Sequence, residues 1–299
     1  MTTRVAFVIC TEPAFEKKSV LLVRSIRRFG GSLSAAPIYS FSPREGHEIS
    51  RSTVTEFSQL GVTHVDILLN RNWTSYGVYN KPFVCAHAER QINAEFLVFV
   101  DSDQVIFNEP CGLLISNDYI AAARPVNLVN IGVSTLAGDG RNQEYWRRLY
   151  DLCGVSIFSL VKPMLEDCEI LAYFNSGMIS TRPRAGIWGR WAGNFERVMR
   201  LGLQPTDPFF IEQSVFSATI SSMNAPVSLL PPSYSYPLPA HHGLEDGKQI
   251  KQLEKMVSIH YHRIFDNGNW LPFLTHLPCL ERRSPRYEWL IQNLSELDE

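Results

Sequence analysis

The chain has 299 residues, of which 45% are hydrophobic and 19% are charged, and its net charge is −2. Because disorder requires low hydrophobicity and a large net charge, these values exclude it for most of the chain, and the near-neutral balance argues against a protein that binds nucleic acid. Residues 214–243 contain no Asp, Glu, Lys or Arg, but five prolines exclude a continuous transmembrane helix there. With no secretion signal at the N-terminus, we expect a cytoplasmic protein that forms one domain over residues 1–299.

The first half of the chain alternates short apolar runs with amphipathic segments. The apolar runs predict strands at residues 5–10, 37–41, 64–69 and 96–100. The segments between them predict helices at residues 19–29, 52–60 and 80–93. Alternating strands and helices with short links indicate a mostly parallel sheet covered by helices on both faces. In such sheets, ligands bind beyond the carboxyl ends of the strands.

The second half is less regular. Its periodicity predicts helices at residues 142–152, 184–201, 207–221 and 284–294. The second of these helices presents an apolar stripe at helical spacing, which we interpret as core: Trp188, Trp191, Phe195 and Val198. The Pro- and Ser-rich stretch that follows residue 221 is expected to be an extended loop with one short strand. His241 and His242 lie in it, and we expect both at the surface.

The strongest chemical signal is Asp101-Ser102-Asp103, which directly follows the most apolar predicted strand. Two carboxylates at that point cannot both be buried without a counter-charge. Such hard oxygen ligands suit Mg²⁺ or Mn²⁺, which also bind diphosphate oxygens. The alternative is an ordinary turn, because Asp and Ser are favoured at strand ends. We favour the metal site.

His260 and His262 form the second candidate. A strand at residues 257–263 would place them at alternate positions, so both side chains would face the same way. One imidazole would complete a mixed carboxylate and imidazole site, which favours Mn²⁺ over Mg²⁺. The alternative is a histidine that only forms structural hydrogen bonds.

Three further places carry polar groups of interest. Asn175 and Ser176 precede a glycine at the start of a predicted strand, where they would bind sugar hydroxyls or form a tight turn. Glu212 and Gln213 lie early in a predicted helix. They would belong either to a reaction centre or to a helix face that is exposed to solvent. Lys81 would meet a phosphate or extend its charge to solvent.

In chain order, these motifs resemble those of a known enzyme family. They are similar to the motifs of retaining glycosyltransferases of the glycogenin and bacterial lipopolysaccharide galactosyltransferase group. The motifs are the strand and loop that end at Phe15, then Asp-x-Asp, Phe-Asn-Ser-Gly, an acid–Gln pair and Ile-His-Tyr. Each motif is weak alone, but their order is specific, and the resemblance spans about residues 4–265. It implies a GT-A fold, with a nucleotide-binding half at residues 1–125 and a sugar and acceptor half at residues 126–299.

The resemblance also implies a divalent metal, Mn²⁺ or Mg²⁺, and a nucleoside diphosphate sugar, with a UDP-sugar favoured. Its metal ligands would be Asp101, Asp103 and His260. Residues that contact the nucleotide would be Thr11, Glu12, Phe15, Lys81, Ser102 and Asp103, with Phe15 stacked on the base and Lys81 beside the phosphates. Asn175 and Ser176 would bind the sugar, and Glu212 and Gln213 would lie near the anomeric carbon.

The sequence departs from the family after the His-aromatic pair. The family continues with a glycine and then Lys-Pro-Trp, whereas this chain continues with His262, Arg263 and Ile264. We expect Arg263 to supply the missing positive charge to the diphosphate. That role requires the strand to end near Tyr261, so that the loop turns Arg263 inward.

The sequence therefore predicts a metal-dependent hexosyltransferase that retains stereochemistry and acts on an unidentified glycan, lipid-linked or small-molecule acceptor. Either Glu212 attacks the sugar covalently, or the acceptor attacks from the leaving-group face while Gln213 stabilises the cation. One alternative is a sugar-1-phosphate nucleotidyltransferase, although the loop at residues 11–15 lacks the glycines that such enzymes usually have there. Another is a non-catalytic protein that binds a nucleotide sugar or a glycan.

Overall fold

The computed structural model describes residues 3–265 and 284–298. Its strands are, in chain order, β1 (Thr3–Cys10), β2 (Ile38–Ser42), β3 (Val62–Asp66), β4 (Ala94–Val100), β5 (Gln104–Ile106), β6 (Ala121–Pro125), β7 (Leu160–Val161), β8 (Ile170–Leu171), β9 (Phe174–Thr181), β10 (Val227–Leu229), β11 (Tyr236–Pro237) and β12 (Ser258–His260). Its α-helices are α1 (Glu16–Phe29), α2 (Arg51–Gln59), α3 (Lys81–Gln91), α4 (Arg141–Cys153), α5 (Ile187–Arg200), α6 (Ile211–Ser221) and α7 (Pro285–Asp298).

The central sheet has seven strands in the order β10-β6-β9-β4-β1-β2-β3. Neighbouring strands are parallel except at β9, which runs antiparallel to both β4 and β6. A small sheet of β11, β12 and β5 and the two-stranded β7–β8 pair complete the strands of the described residues. The predicted architecture, a mostly parallel sheet flanked by helices, is confirmed.

The central strands are buried on both faces, which explains their continuous apolar runs. In β4, Leu97 and Phe99 belong to one apolar cluster, whereas Phe96, Val98 and Val100 belong to a second cluster on the opposite face. The predicted apolar stripe of α5 is also confirmed as core, because all four of its side chains are fully buried.

The antiparallel direction of β9 brings polar residues of three strands together at one edge of the sheet. Because it runs against its neighbours, its first residues lie beside the last residues of β4 and β6. The backbone N–H of Asp101 donates to the carbonyl of Gly177 at 2.7 Å, and Arg124 near the end of β6 is paired with Asn175. One edge of the sheet thus receives the end of β4, the end of β6 and the start of β9.

Several sequence predictions need correction. The Pro- and Ser-rich stretch contains two short strands, β10 and β11, rather than one. His241 is buried rather than exposed, because Nδ1 of its ring is hydrogen-bonded to the Tyr236 hydroxyl at 2.6 Å, whereas His242 is exposed as expected. The predicted strand at residues 257–263 stops at His260.

In the described parts of the chain, no helix has both the length and the apolar character needed to cross a membrane.

Candidate active site

A buried lysine lies at the centre of the site. Lys81 is the first residue of α3, and its side chain is largely inaccessible to solvent. Its Nζ lies 2.9 Å from each carboxylate oxygen of Asp101, 3.2 Å from Oε1 of Glu212 and 3.3 Å from Oγ of Ser176. These four residues, the lysine cluster, join α3, the end of β4, β9 and α6. Four of the predicted site residues therefore lie in direct contact.

Glu212 lies in the first turn of α6 and is 3% exposed. Its Oε1 accepts a hydrogen bond from the Ser176 hydroxyl at 2.8 Å, while Oε2 is buried and has no hydrogen-bond partner among the described residues. Burial raises the pKa of this carboxyl group, although Lys81 and Ser176 oppose the shift. The side chain thus holds one free carboxylate oxygen in a dry environment.

Gln213 connects the same helix turn to the start of β9. Its Oε1 lies 3.4 Å from both Nδ2 of Asn175 and the backbone nitrogen of Ser176. The backbone carbonyl of Glu212 also accepts a hydrogen bond from the Trp191 indole at 3.0 Å, which ties α6 to the core stripe of α5. Gln213 and Trp191 therefore fix the position of Glu212 relative to β9.

Gly177 is required by the close approach of side chains at this point. A Cβ atom placed on Gly177 would lie 2.6 Å from Oδ2 of Asp101 and 2.9 Å from Oδ1 of Asn175. Real Cβ atoms essentially never approach other atoms that closely, so a larger residue would displace Asp101 from Lys81. The glycine of the Phe-Asn-Ser-Gly motif thus has a packing reason in this chain.

A second group of side chains comprises Asp103, His260 and His262, here called the Asp–His–His group. Nε2 of His260 lies 3.0 Å from Oδ1 of Asp103, and Nδ1 of His262 lies 3.6 Å from Oδ2. One ligand atom from each residue lies within 4.8 Å of the other two. A carboxylate with two imidazoles at these separations is a donor set that suits a divalent transition metal.

The backbone brings these three residues together. β5 starts directly after Asp103 and pairs antiparallel with β12, so that His260 lies opposite Gln104. The backbone N–H of Tyr261 donates to the Asp103 carbonyl at 3.1 Å, and His262 then adopts a left-handed conformation with φ of 53°. This turn, rather than the predicted strand alternation, places both imidazoles beside Asp103.

Charge within the Asp–His–His group favours the ionised carboxylate. Burial of Asp103 opposes ionisation, but the nearby imidazoles of His260 and His262 hold the pKa of the carboxyl group well below its usual value. Asp103 therefore carries a negative charge at neutral pH. His262 was not among the metal ligands predicted from the sequence, although its alternate spacing with His260 was the available signal.

Asp101 is placed differently from the prediction. Its carboxylate is bound by Lys81, and it is not part of the Asp–His–His group. The physical reason is that a buried ammonium group requires an opposite charge, and Asp101 supplies it at the shortest distance. Ser102 lies between the two aspartates in a partly exposed turn, where the sequence analysis expected it to contact the nucleotide.

The side chains of Thr11 and Glu12 are directed into the protein. The Thr11 hydroxyl donates to Ser19 at 2.9 Å and accepts from Ser40 at 2.8 Å. Glu12 is bound by the guanidinium group of Arg44 and by Nδ2 of Asn80. These bonds occupy both side chains, so the structure does not present them to a nucleobase. Arg44, which holds the loop through Glu12, was not singled out from the sequence.

Phe15 is placed closer to the expectation. Its ring is partly exposed, and the ammonium group of Lys18 lies 5.6 Å from the ring centroid. Nζ of Lys18 also donates to the backbone carbonyl of His262 at 3.1 Å. Phe15 and the Asp–His–His group are therefore connected through one lysine.

Arg263 does not reach the aspartates. Its side chain is exposed, and among the described residues it forms no ion pair with Asp101 or Asp103. The strand does end before Tyr261, as the prediction required, but the left-handed turn at His262 directs that imidazole, and not Arg263, towards Asp103.

Comparison with solved structures agrees with this architecture. The chain is similar to the apo structure of the bifunctional glycosyltransferase WbbM, with a TM-score of 0.55 at 14% sequence identity. The match covers 98% of this chain and 52% of that chain, so this chain spans about half the length of the matched structure. The fold is the predicted GT-A type of glycosyltransferases.

The chain belongs to the Rhodobacterales glycosyltransferase domain family, whose model matches residues 6–224. No curated protein matches the sequence. The family assignment makes the protein an enzyme of the glycosyltransferase class, as predicted. The matched region contains the whole lysine cluster and Asp103 but ends before His260 and His262.

Proposed function

We propose that this glycosyltransferase uses Mn²⁺ to transfer a hexose from a UDP-sugar to an acceptor, with retention of stereochemistry. The observation that carries this proposal is the Asp–His–His group, whose ligand atoms lie within 4.8 Å of one another beside the end of β4. Ligands of α/β proteins bind beyond such strand ends. The retaining outcome rests on the resemblance of the motif order to the glycogenin group.

Asp103, His260 and His262 would hold the metal. Two imidazoles and one carboxylate favour Mn²⁺ over Mg²⁺, which prefers oxygen ligands. When bound, the metal would neutralise charge on the leaving diphosphate. Asp101 contributes differently from the original expectation, because it holds the ammonium group of Lys81 in place.

The remaining contacts to the donor follow from the positions of four residues. Phe15 stacks on the base, since its ring is the partly exposed aromatic surface of the loop after β1. Lys18 lies between that ring and the His262 carbonyl, a position that suits the diphosphate. Asn175 and Ser176 bind sugar hydroxyls, because the sugar must lie between the diphosphate and Glu212.

Glu212 acts at the anomeric carbon. Its buried Oε2 is free to face the sugar, whereas Oε1 is fixed by Lys81 and Ser176. A carboxylate in this position stabilises the positive charge that develops on the sugar ring, whether or not it also forms a covalent bond. Gln213 positions Asn175 and Ser176.

Calorimetric titration with UDP, in Mn²⁺ and in excess chelator, tests the proposal. We expect chelation to weaken UDP binding by at least about tenfold, the lower range for disturbed metal sites. His262→Ala should give the same loss, whereas His242→Ala, at an exposed histidine outside the group, should not. UDP affinity and turnover that are unchanged in chelator would contradict the metal assignment.

A further inference from the structure

Arg124 is a buried arginine that has no counter-charge among the described residues. It is 4% exposed, and its Nε and Nη2 atoms have no hydrogen-bond partner among the described residues. Its Nη1 contacts the thioether sulfur of Met164 at 3.0 Å, which is a weak acceptor. Burial lowers the pKa of the guanidinium group to about 10, so it remains charged at neutral pH.

Among the described residues, the other buried arginine follows β9 directly and is paired. Arg182, at the end of β9, donates to Glu95 at 2.8 Å and to the Ile115 carbonyl at 2.7 Å. An unpaired buried charge is strongly unfavourable, so proteins normally pair it with an opposite charge or use it to bind a ligand. Arg124 has neither a carboxylate nor a carbonyl oxygen among its hydrogen-bond acceptors in the described chain.

The position of Arg124 connects it to the active site. It lies directly opposite Asn175 in the antiparallel β6–β9 pair, so the two side chains project from the same face of the sheet. The amide group of Asn175 contacts Gln213, the neighbour of Glu212. Arg124 is thus one cross-strand position away from the residues that would hold the sugar.

We propose that Arg124 binds the carboxylate of a hexuronic acid, so that the sugar recognised in this site is acidic. The inference rests on the proposed function and names its substrate class. A single guanidinium group matches one carboxylate in charge and in bidentate geometry, and Nε and Nη2 of Arg124 both lack a hydrogen-bond partner among the described residues. The thioether sulfur of Met164 contacts Nη1 of Arg124, and its flexible side chain can shift to admit the sugar.

Two sources of the carboxylate are separated by experiment. In the donor arm, calorimetry with Mn²⁺ compares UDP-glucuronic acid and UDP-galacturonic acid with UDP-glucose and UDP-galactose. In the acceptor arm, methyl β-glucuronide is compared with methyl β-glucoside in the presence of UDP and Mn²⁺. We expect an acidic ligand to bind about tenfold or more tightly than its neutral counterpart, as a charge-assisted hydrogen-bond pair should give.

Two variants test whether Arg124 is responsible. Arg124→Met should abolish the ratio of acidic to neutral affinity, and Arg124→Lys should retain part of it. Without ligand, Arg124→Met should raise the melting temperature, because it removes an unpaired buried charge, whereas the matched Arg182→Met should lower it.

The outcomes are distinguishable. Preference for the acidic ligand in either arm, lost in Arg124→Met, supports the proposal and identifies the source. UDP binding with equal affinity for acidic and neutral ligands in both arms overturns the proposal and leaves the proposed function intact. Failure of UDP and of every UDP-sugar to bind with Mn²⁺ contradicts the proposed function, and the inference that rests on it fails too.

Discussion

Nζ of Lys81 lies 3.2 Å from Oε1 of Glu212, although both side chains are almost fully buried. Asp101 lies still closer to the same ammonium group, so one buried cation contacts two carboxylates that come from different elements. Removal of the cation would leave both acids without compensation. The lysine cluster therefore contributes to stability as well as to the site.

The first prediction concerns this cation. We expect Lys81→Met to lower the free energy of unfolding by about 3–5 kcal/mol, the usual cost of breaking a buried ion pair. Urea denaturation measures the change. Lys248→Met is the matched control, because its ion pair with Glu245 is exposed and should contribute about 0–1 kcal/mol. Equal effects of the two variants would show that Lys81 does not compensate Asp101 and Glu212.

The second prediction concerns Gly177. Gly177→Ala places a methyl group 2.6 Å from Oδ2 of Asp101, so we expect a large loss of turnover and a lower melting temperature. Gly193→Ala is the control, since this exposed glycine within α5 has open space around the added carbon. Alanine there should stabilise the protein by about 0.5–1 kcal/mol through its helix propensity. Full turnover in Gly177→Ala would contradict the packing argument.

Local features of the site could be predicted from the sequence. The apolar β4 strand followed by two aspartates, and the Asn-Ser-Gly start of β9, each follow from nearby residues. The insertion of β9 between β4 and β6 does not, because it depends on pairing between distant segments. The pattern therefore predicted the residues of the lysine cluster but not their mutual contacts.

Three residues show where sequence reasoning fails for physical reasons. His262 joins the Asp–His–His group through a left-handed turn, which few non-glycine residues adopt. Asp101 pairs with Lys81 because burial decides the partner, and burial depends on the whole fold. Arg124 follows three alanines in an apolar strand, and only the structure reveals that no described residue supplies it with a counter-charge.

The third prediction concerns pH and Glu16. Partial burial raises the pKa of this carboxyl group, but hydrogen bonds from Ser50 and Thr53 outweigh burial and lower it below 4.5. The unfolded chain therefore binds the proton more tightly, and the stabilisation from Glu16 is fully present above the unfolded pKa and is lost as the pH falls through the folded pKa. The stability difference between wild type and Glu16→Gln should shrink as the pH is lowered from about 6 through the unfolded pKa and then through the lower folded pKa. A difference that is constant over this range in chemical denaturation would contradict the assignment.

The last prediction compares two candidates for the diphosphate contact. Lys18 donates to the His262 carbonyl and approaches the Phe15 ring, whereas Arg263 is exposed and unpaired with either aspartate in the described structure. If the diphosphate spans the distance from Phe15 to the Asp–His–His group, Lys18 lies along its path. We therefore expect Lys18→Ala to lower kcat/KM by about 10- to 100-fold, because positive charge near a leaving group acts most strongly as that group departs. Arg263→Ala should have a small effect.

Binding measurements separate the two phosphates of the donor in the same prediction. Since UMP lacks the second phosphate, its affinity should change less than that of UDP in Lys18→Ala, as calorimetry can measure. A large loss in Arg263→Ala with little change in Lys18→Ala would reverse the assignment and restore the role that the sequence predicted for Arg263.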